Sequence, residues 1–182
     1  MKVTPLSIPD VLLIEPHVFE DSRGFFFESF REDIFKKETS LDVSFVQDNH
    51  SKSSQGVLRG LHYQLPPYAQ GKLTRVIQGE VLDIAVDIRD SSPTCGQYVA
   101  EILSSDNRKQ LYIPEGFAHG FLTLSKTSEY LYKTTDFYHP KSERCILWND
   151  TFLNIKWPAD MAIKLSTKDL SGITFDQVEF PS

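Results

Sequence analysis

Short strands joined by turn residues predict an all-β protein, a sandwich or barrel in which helix is confined to small pieces. Between residues 57 and about 135, strand-like runs recur at a spacing of roughly 8–12 residues, the rhythm of a closed or double sheet. Within that stretch Leu82, Ile84, Val86 and Ile88 alternate with Val81, Asp83, Ala85 and Asp87, the two-residue period of a strand. Turn formers punctuate the runs at Gly79-Glu80, at Asp90-Ser91-Ser92-Pro93, at Ser104-Ser105-Asp106-Asn107 and at Pro114-Glu115-Gly116.

The chain begins with the apolar runs Val11-Leu12-Leu13-Ile14 and Gly24-Phe25-Phe26-Phe27, broken by Pro5, Pro9 and Pro16, which read as strands and connecting arms. Ser29 followed three residues later by Glu32 has the form of a capping box and predicts a short helix from Arg31 to Glu38. An extended pattern resumes at Phe45-Val46-Gln47-Asp48-Asn49, and Ser51 to Gly56 reads as a polar loop. Strands are expected at Leu73–Ile77, Val81–Ile88, Tyr98–Leu103, Gln110–Ile113, Phe117–Leu124 and Glu129–Thr134. The expected organisation is one domain: an N-terminal arm over about 1–45, a barrel core over about 46–150, and a tail over about 151–182 folded against it.

With 40% hydrophobic and 24% charged residues, the 182-residue chain has the composition of a globular protein. A net charge of −6 and a pI near 5.3 argue against nucleic-acid binding, so an anionic ligand must be met by a local basic cluster. No apolar run approaches the ~20 residues that span a bilayer, and the first residues lack a signal-peptide core, which makes the cytoplasm the expected location. Cys95 and Cys145 lack metal-motif spacing and are read as packing thiols. His62 is followed two residues on by Gln64 and His119 by Phe121, so neither offers a His-x-His metal pair, and no metal is expected.

Two stretches carry the chemistry: Gly56-Val57-Leu58-Arg59-Gly60-Leu61-His62-Tyr63-Gln64 and Glu129-Tyr130-Leu131-Tyr132-Lys133-Thr134. An imidazole, with an ordinary pKa of about 6.5, accepts a proton near neutrality, while a phenol near 10 stays protonated and can return one. His62 and Tyr132 therefore read as a base and an acid on separate strands. From pattern alone, a hydrogen-bonded core histidine and a packing tyrosine are the commoner fates of such residues. Arg23, Arg59, Lys72, Arg75 and Lys168 fall beside glycines or at strand ends where a cation can reach phosphate.

Six blocks in order (Asp21 to Glu28, Gln47 to Ser51, Gly56 to Gln64, Gln70 to Leu73, Ile113 to Phe121 and Trp148 to Asp150) resemble the dTDP-4-dehydrorhamnose 3,5-epimerase family over nearly the whole chain. The resemblance implies a jelly-roll barrel of the cupin type, a homodimer, and no cofactor. The implied reaction is inversion at C3 and C5 of dTDP-4-keto-6-deoxyglucose, a step towards dTDP-L-rhamnose. Carried over by position, His62 resembles the base, Tyr132 the acid, Asp169 the carboxylate that orients the histidine, and Lys72 a lysine beside the sugar ketone. Arg23, Glu28, Gln47, Asp48, Asn49, Arg59, His119, Glu143 and Lys168 resemble contacts to the nucleotide sugar, and Tyr138 the ring that stacks on thymine.

On a regular strand Arg59 and His62, three positions apart, point to opposite faces, so a bulge is expected at Gly60 if both serve one pocket. Cys95 and Cys145 stand where the family often has an aromatic residue and a glycine. Alternatives to the double epimerase are an enzyme inverting only one of the two carbons, a non-catalytic nucleotide-sugar-binding cupin and, least favoured, a metal-dependent cupin oxygenase.

Overall fold

A computed structural model describes residues 1–179; the last three residues of the expected tail lie outside the described ones. In chain order the strands are β1 (Lys2–Pro5), β2 (Leu12–Glu15), β3 (Phe19–Asp21), β4 (Gly24–Phe26), β5 (Gln47–Ser54), β6 (Leu58–Gln64), β7 (Lys72–Gln78), β8 (Glu80–Asp87), β9 (Tyr98–Ser104), β10 (Gln110–Ile113), β11 (Phe117–Thr123), β12 (Thr127–Thr134) and β13 (Glu143–Cys145). Among the described residues helix is limited to α1 (Glu32–Thr39), α2 (Thr167–Leu170) and a 3-10 turn at Phe175–Gln177.

Two antiparallel sheets face each other. One has the order β1-β2-β10-β7-β12-β5, the other β13-β6-β11-β8-β9, and β3 and β4 form a separate hairpin. Neighbours that are distant in sequence, such as β10 beside β7 and β6 beside β11, make this the jelly-roll arrangement expected. Val76, Val81, Ala85, Leu111, Phe121 and Tyr130 pack between the sheets.

The alternation in β8 has an outcome that composition conceals. Val81, Asp83 and Ala85 face the barrel interior, where Asp83 meets side chains of the opposite sheet, whereas Ile84, Val86 and Ile88 pack outward beneath Leu153, Ile155, Phe175 and Val178 of the tail. The more apolar face is thus the one the tail covers. On the other sheet, Phe35 of α1 closes a cluster with Leu12, Ile14, Leu73 and Tyr112. Both sheets are therefore buried on two faces over much of their area, which explains why neither face of β11 is exposed.

Two local expectations are corrected. The helix at residue 32 exists, but its N-cap is Arg31, without a side-chain cap bond, and Ser29 uses its carbonyl to accept from Gln110 Nε2 instead. Glu32 pairs with Lys36 and receives the Ser44 hydroxyl, so it has no role in a box with Ser29. The polar loop expected over Ser51 to Gly56 is mostly strand: β5 runs through Ser54 and pairs residue for residue with β12, from Thr127↔Ser54 to Thr134↔Gln47. Its residues have low strand propensity, and the ladder to β12 overrides it.

The expected bulge is present. His119 of β11 pairs with His62, and Phe121 with Arg59, so two steps on β11 match three on β6. His119 and Phe121 share a face, hence Arg59 and His62 do too. Gly60 has φ +135°, and a Cβ there would lie 2.5 Å from the Gly120 Cα and 2.9 Å from the His119 carbonyl oxygen. Gly60→Ala is expected to lower the unfolding free energy by about 1–3 kcal/mol, read by urea denaturation. A wild-type midpoint would mean that the bulge does not require glycine.

Candidate active site

The mouth of the barrel holds a cleft of about 300 Å³, with walls from both sheets and from the tail. From β6 come Arg59 and His62, from β7 Lys72, from β11 His119, from β12 Tyr130 and Tyr132, from β13 Glu143, and from the tail Lys168 and Asp169. Tyr138, half exposed, stands at its edge. The cleft thus collects His62, Tyr132, Lys72, Asp169, Arg59, His119, Tyr138, Glu143 and Lys168.

Asp169 is the buried centre of one wall, 3% exposed. Its Oδ1 accepts from His62 Nε2 at 2.7 Å and from the Gly60 N–H at 3.3 Å, and its Oδ2 accepts from the Ser166 hydroxyl at 2.6 Å. Ser166 in turn accepts from the Asp169 N–H, which makes Ser166 the N-cap and Asp169 the closing residue of a capping box on α2. Burial alone would raise this carboxyl, but the bonds from His62 and Ser166 outweigh it and hold it at about 2. A carboxylate at Nε2 assigns the proton to that nitrogen and leaves Nδ1 of His62 as the acceptor.

Lys72 is 7% exposed and donates to the His62 carbonyl at 3.2 Å. Burial lowers its amine to about 8, against the pull of Asp83 and Glu143. Burial likewise raises the Tyr132 phenol, with Glu143 adding to the effect, so it remains a proton donor over the whole neutral range. His62 and Tyr132 stand on different sheets and line the same cleft, so they reach it from opposite walls.

At the entrance Glu143 pairs with Lys168 and accepts from the Tyr138 hydroxyl at 2.6 Å. Burial would raise Glu143, but these two partners bring it below the usual carboxylate value. The Gln47 side chain accepts from the Tyr138 N–H at 3.0 Å and donates to Asn49, placing both beside the mouth. Asn49 Nδ2 and Ser51 Oγ are buried with no partner among the described residues, polar groups that a ligand can satisfy. Arg59, Lys72 and Lys168 give the cleft three cations in a chain of net charge −6, the local basic cluster that an anionic ligand requires.

Five expected contacts do not line this cleft: Gln47 and Asn49 stand beside it, and Asp48, Arg23 and Glu28 lie elsewhere on the chain. Asp48 alternates to the outer face of β5 and pairs with Lys133 at 2.8 Å. Arg23, its side chain 87% exposed, pairs with Asp21 on the β3–β4 hairpin, and Glu28 lies beside Arg31 in the arm that follows. Glu20 and Phe25 hold that hairpin against Arg108, and neither Arg23 nor Glu28 lines the chain's own cleft.

Sequence reasoning missed a buried network. Asp83 takes a hydrogen bond from Thr74 at 3.1 Å, another from the Tyr130 hydroxyl, and pairs through Oδ1 with His119 Nε2 at 2.7 Å. Burial lowers the His119 imidazole despite Asp83, and it raises the Tyr130 phenol strongly. An aspartate amid the apolar alternation of β8 was the available signal, since a buried carboxylate must find partners. Ser166 was also missed, although Ser166-Thr167-Lys168-Asp169 has the spacing of a capping box.

Fold and site together define a jelly-roll protein with a histidine–carboxylate pair, a tyrosine and a buried lysine in the barrel mouth. A profile of the dTDP-4-dehydrorhamnose 3,5-epimerase family matches residues 5–177. The chain is 58% identical to the dTDP-4-dehydrorhamnose 3,5-epimerase of Pseudomonas aeruginosa over the full length of both. It superposes with a TM-score of 0.96 on a Legionella pneumophila dTDP-6-deoxy-D-glucose-3,5-epimerase in complex with dTDP-4-keto-L-rhamnose, at 45% identity and covering 99% of this chain and 97% of the other. A 3′-monoepimerase from Streptomyces bikiniensis, in complex with dTDP-quinovose, gives 0.92 at 31% identity over 98% and 92% of the two chains. The chain belongs to the dTDP-4-dehydrorhamnose 3,5-epimerase family.

The electrostatics of Lys72 carry a stability consequence. Its amine falls from 10.5 to about 8 on folding, so the folded state disfavours the charged form below pH 8 and regains that stability as pH rises from 8 to 10.5. Lys72→Met is therefore expected to raise the unfolding free energy at pH 7 by on the order of 2 kcal/mol, with the gain vanishing by pH 10.5. Denaturant titrations at the two pH values test this, and a variant less stable than wild type at pH 7 would refute it.

Proposed function

We propose that the chain is a dTDP-4-dehydrorhamnose 3,5-epimerase, acting on dTDP-4-keto-6-deoxyglucose in the formation of dTDP-L-rhamnose. The observation that carries this reading is a base and an acid on opposite walls of one cleft that also contains a buried ammonium. A C–H next to a ketone is a weak acid, and its removal needs a positioned base and a group that stabilises the enolate oxygen.

Nδ1 of His62 takes the proton from one of the carbons beside the ketone, C3 or C5, the C–H electron pair moves into the ring to form the enolate, and the negative charge collects on the C4 oxygen. Asp169 stabilises the imidazolium as it forms and keeps its orientation. Lys72, an ammonium below about pH 8, stabilises the oxyanion. Tyr132 then gives its phenolic proton to the opposite face of that carbon, which inverts the centre, and proton exchange with solvent restores phenol and imidazole. Because the C4 ketone activates C3 and C5 alike, the same groups invert the other carbon in a second passage. No electrons leave the substrate, so no redox cofactor is needed.

Arg59 and Lys168 suit the diphosphate, and Tyr138 the thymine ring, by charge and by position at the mouth. Identity favours the double epimerase over the single-position alternative, at 58% against 31% for the relatives described above. A purely binding role would leave the buried His62–Asp169 pair and the lysine without a use. The proposed assembly is a homodimer: Phe19, Phe25 and Phe26 of the β3–β4 hairpin are all more than half exposed, a surface a second subunit would cover. Arg23 and Glu28, on that arm, then become candidates for a partner's site. Among the described residues no helix is long and apolar enough to cross a membrane, and the two free thiols suit a reducing compartment such as the cytoplasm.

Proton NMR of dTDP-4-keto-6-deoxyglucose with the protein in heavy water tests the mechanism. Deuterium is expected at both C3 and C5 with wild type and at neither with His62→Ala. Tyr132→Phe is expected to slow inversion by about 10²–10⁴ while exchange persists, because abstraction still occurs and delivery does not. Exchange at one carbon only would assign a single-position epimerase, and ligand binding without any exchange would leave a binding protein.

A further inference from the structure

Cys145 has no part in the proposed reaction, yet it sits against its centre. On β13 it pairs directly with His62 of β6, so the two side chains share a face. Its thiol, the imidazole and the Asp169 carboxylate present ligand atoms that all lie within 4.8 Å of one another. The three come from three separate elements, β13, β6 and α2, each fixed independently by ladder pairing or by the capping box. Tetrahedral zinc needs Zn–S near 2.3 Å and Zn–N near 2.0–2.1 Å, which sets ligand atoms roughly 3.3–3.8 Å apart. His62 and Asp169, at 2.7 Å, must open slightly and Cys145 must close by up to about 1.5 Å.

We propose that His62, Cys145 and Asp169 form an inhibitory site for a thiophilic divalent cation, of which Zn²⁺ is the physiological example. The donor set, one sulfur, one nitrogen and one carboxylate oxygen, is a borderline-soft set that selects zinc or cadmium over magnesium or calcium. Binding forms metal–S and metal–Nε2 bonds, and the thiol proton leaves to solvent. The imidazole proton moves from Nε2 to Nδ1. The nitrogen that serves as base is then protonated, and the carboxylate that held the tautomer is engaged by the metal, so proton abstraction stops. Removal of the metal reverses each step. The inhibitory half of this inference rests on His62 being the base; the binding half does not.

The test separates the two halves. In a Cys95→Ser protein, Cd²⁺ titration is expected to give an ultraviolet thiolate-to-metal charge-transfer band that saturates at one equivalent and disappears with EDTA. The same titration of Cys95→Ser/Cys145→Ala is expected to give no band. Zn²⁺ is expected to inhibit epimerisation reversibly, and Cys145→Ala or Cys145→Ser to weaken that inhibition by at least about tenfold, each protein being compared with its own metal-free rate. Mg²⁺ at the same concentrations is expected to have no effect. A missing band, or equal Zn²⁺ inhibition with and without Cys145, would overturn the site. A saturated band with turnover unchanged would overturn the inhibitory half and count against His62 as the base.

Discussion

The buried carboxylate of Asp169 is the constraint on which the site depends. It accepts the Nε2–H of His62, the N–H of Gly60 and the hydroxyl of Ser166, and so ties together a strand bulge, a helix start and the candidate base. Each of these would be costly alone. A bulge leaves a backbone N–H outside its ladder, a helix start leaves N–H donors free, and a buried carboxylate lacks solvent. Brought to one place, they satisfy each other, and the imidazole acquires a single tautomer with its free nitrogen facing the cleft. The tail supplies Asp169, so the segment that covers the outer apolar face of β8 also completes the site.

The buried interior beneath the cleft, where both sheets meet, follows a different principle. Lys72, Asp83, His119 and Tyr130 are all nearly inaccessible, and apart from Lys72 they are joined by direct hydrogen bonds. Such a network is tolerated in a barrel interior because every member has a partner. Lys72 is the exception in kind: an ammonium held where burial depresses it to about 8, stabilised by a carbonyl and two carboxylates at a distance. A cation kept out of water acts strongly on a developing negative charge, and this is the property that an enolate-forming site needs.

Strand rhythm made the all-β class legible, and turn residues located most strand boundaries. The bulge at Gly60 was legible for a narrower reason: two residues required on one face stood three apart with a glycine between them. What the chain concealed was decided by pairing over distance. The second half of β5 reads as polar loop because its partner β12 lies some eighty residues away, and local propensity carries no trace of that ladder. The same holds for Asp83, whose partners Thr74, His119 and Tyr130 come from three other strands. Arg23, Glu28 and Asp48 were placed in the site by motif position alone. The docking of the hairpin on Arg108 and the parity of β5 put them elsewhere on the chain's own surface.

The central claim is that Asp169 fixes His62 as the Nε2–H tautomer with Nδ1 free to accept a proton. Nitrogen-15 NMR of side-chain-labelled histidine, with His62 assigned by its loss in His62→Ala, tests this directly. The account predicts a protonated Nε2 and an unprotonated Nδ1 in the neutral imidazole, with that pattern lost in Asp169→Ala. A proton on Nδ1 in the wild-type protein, or a spectrum unchanged by Asp169→Ala, would contradict it.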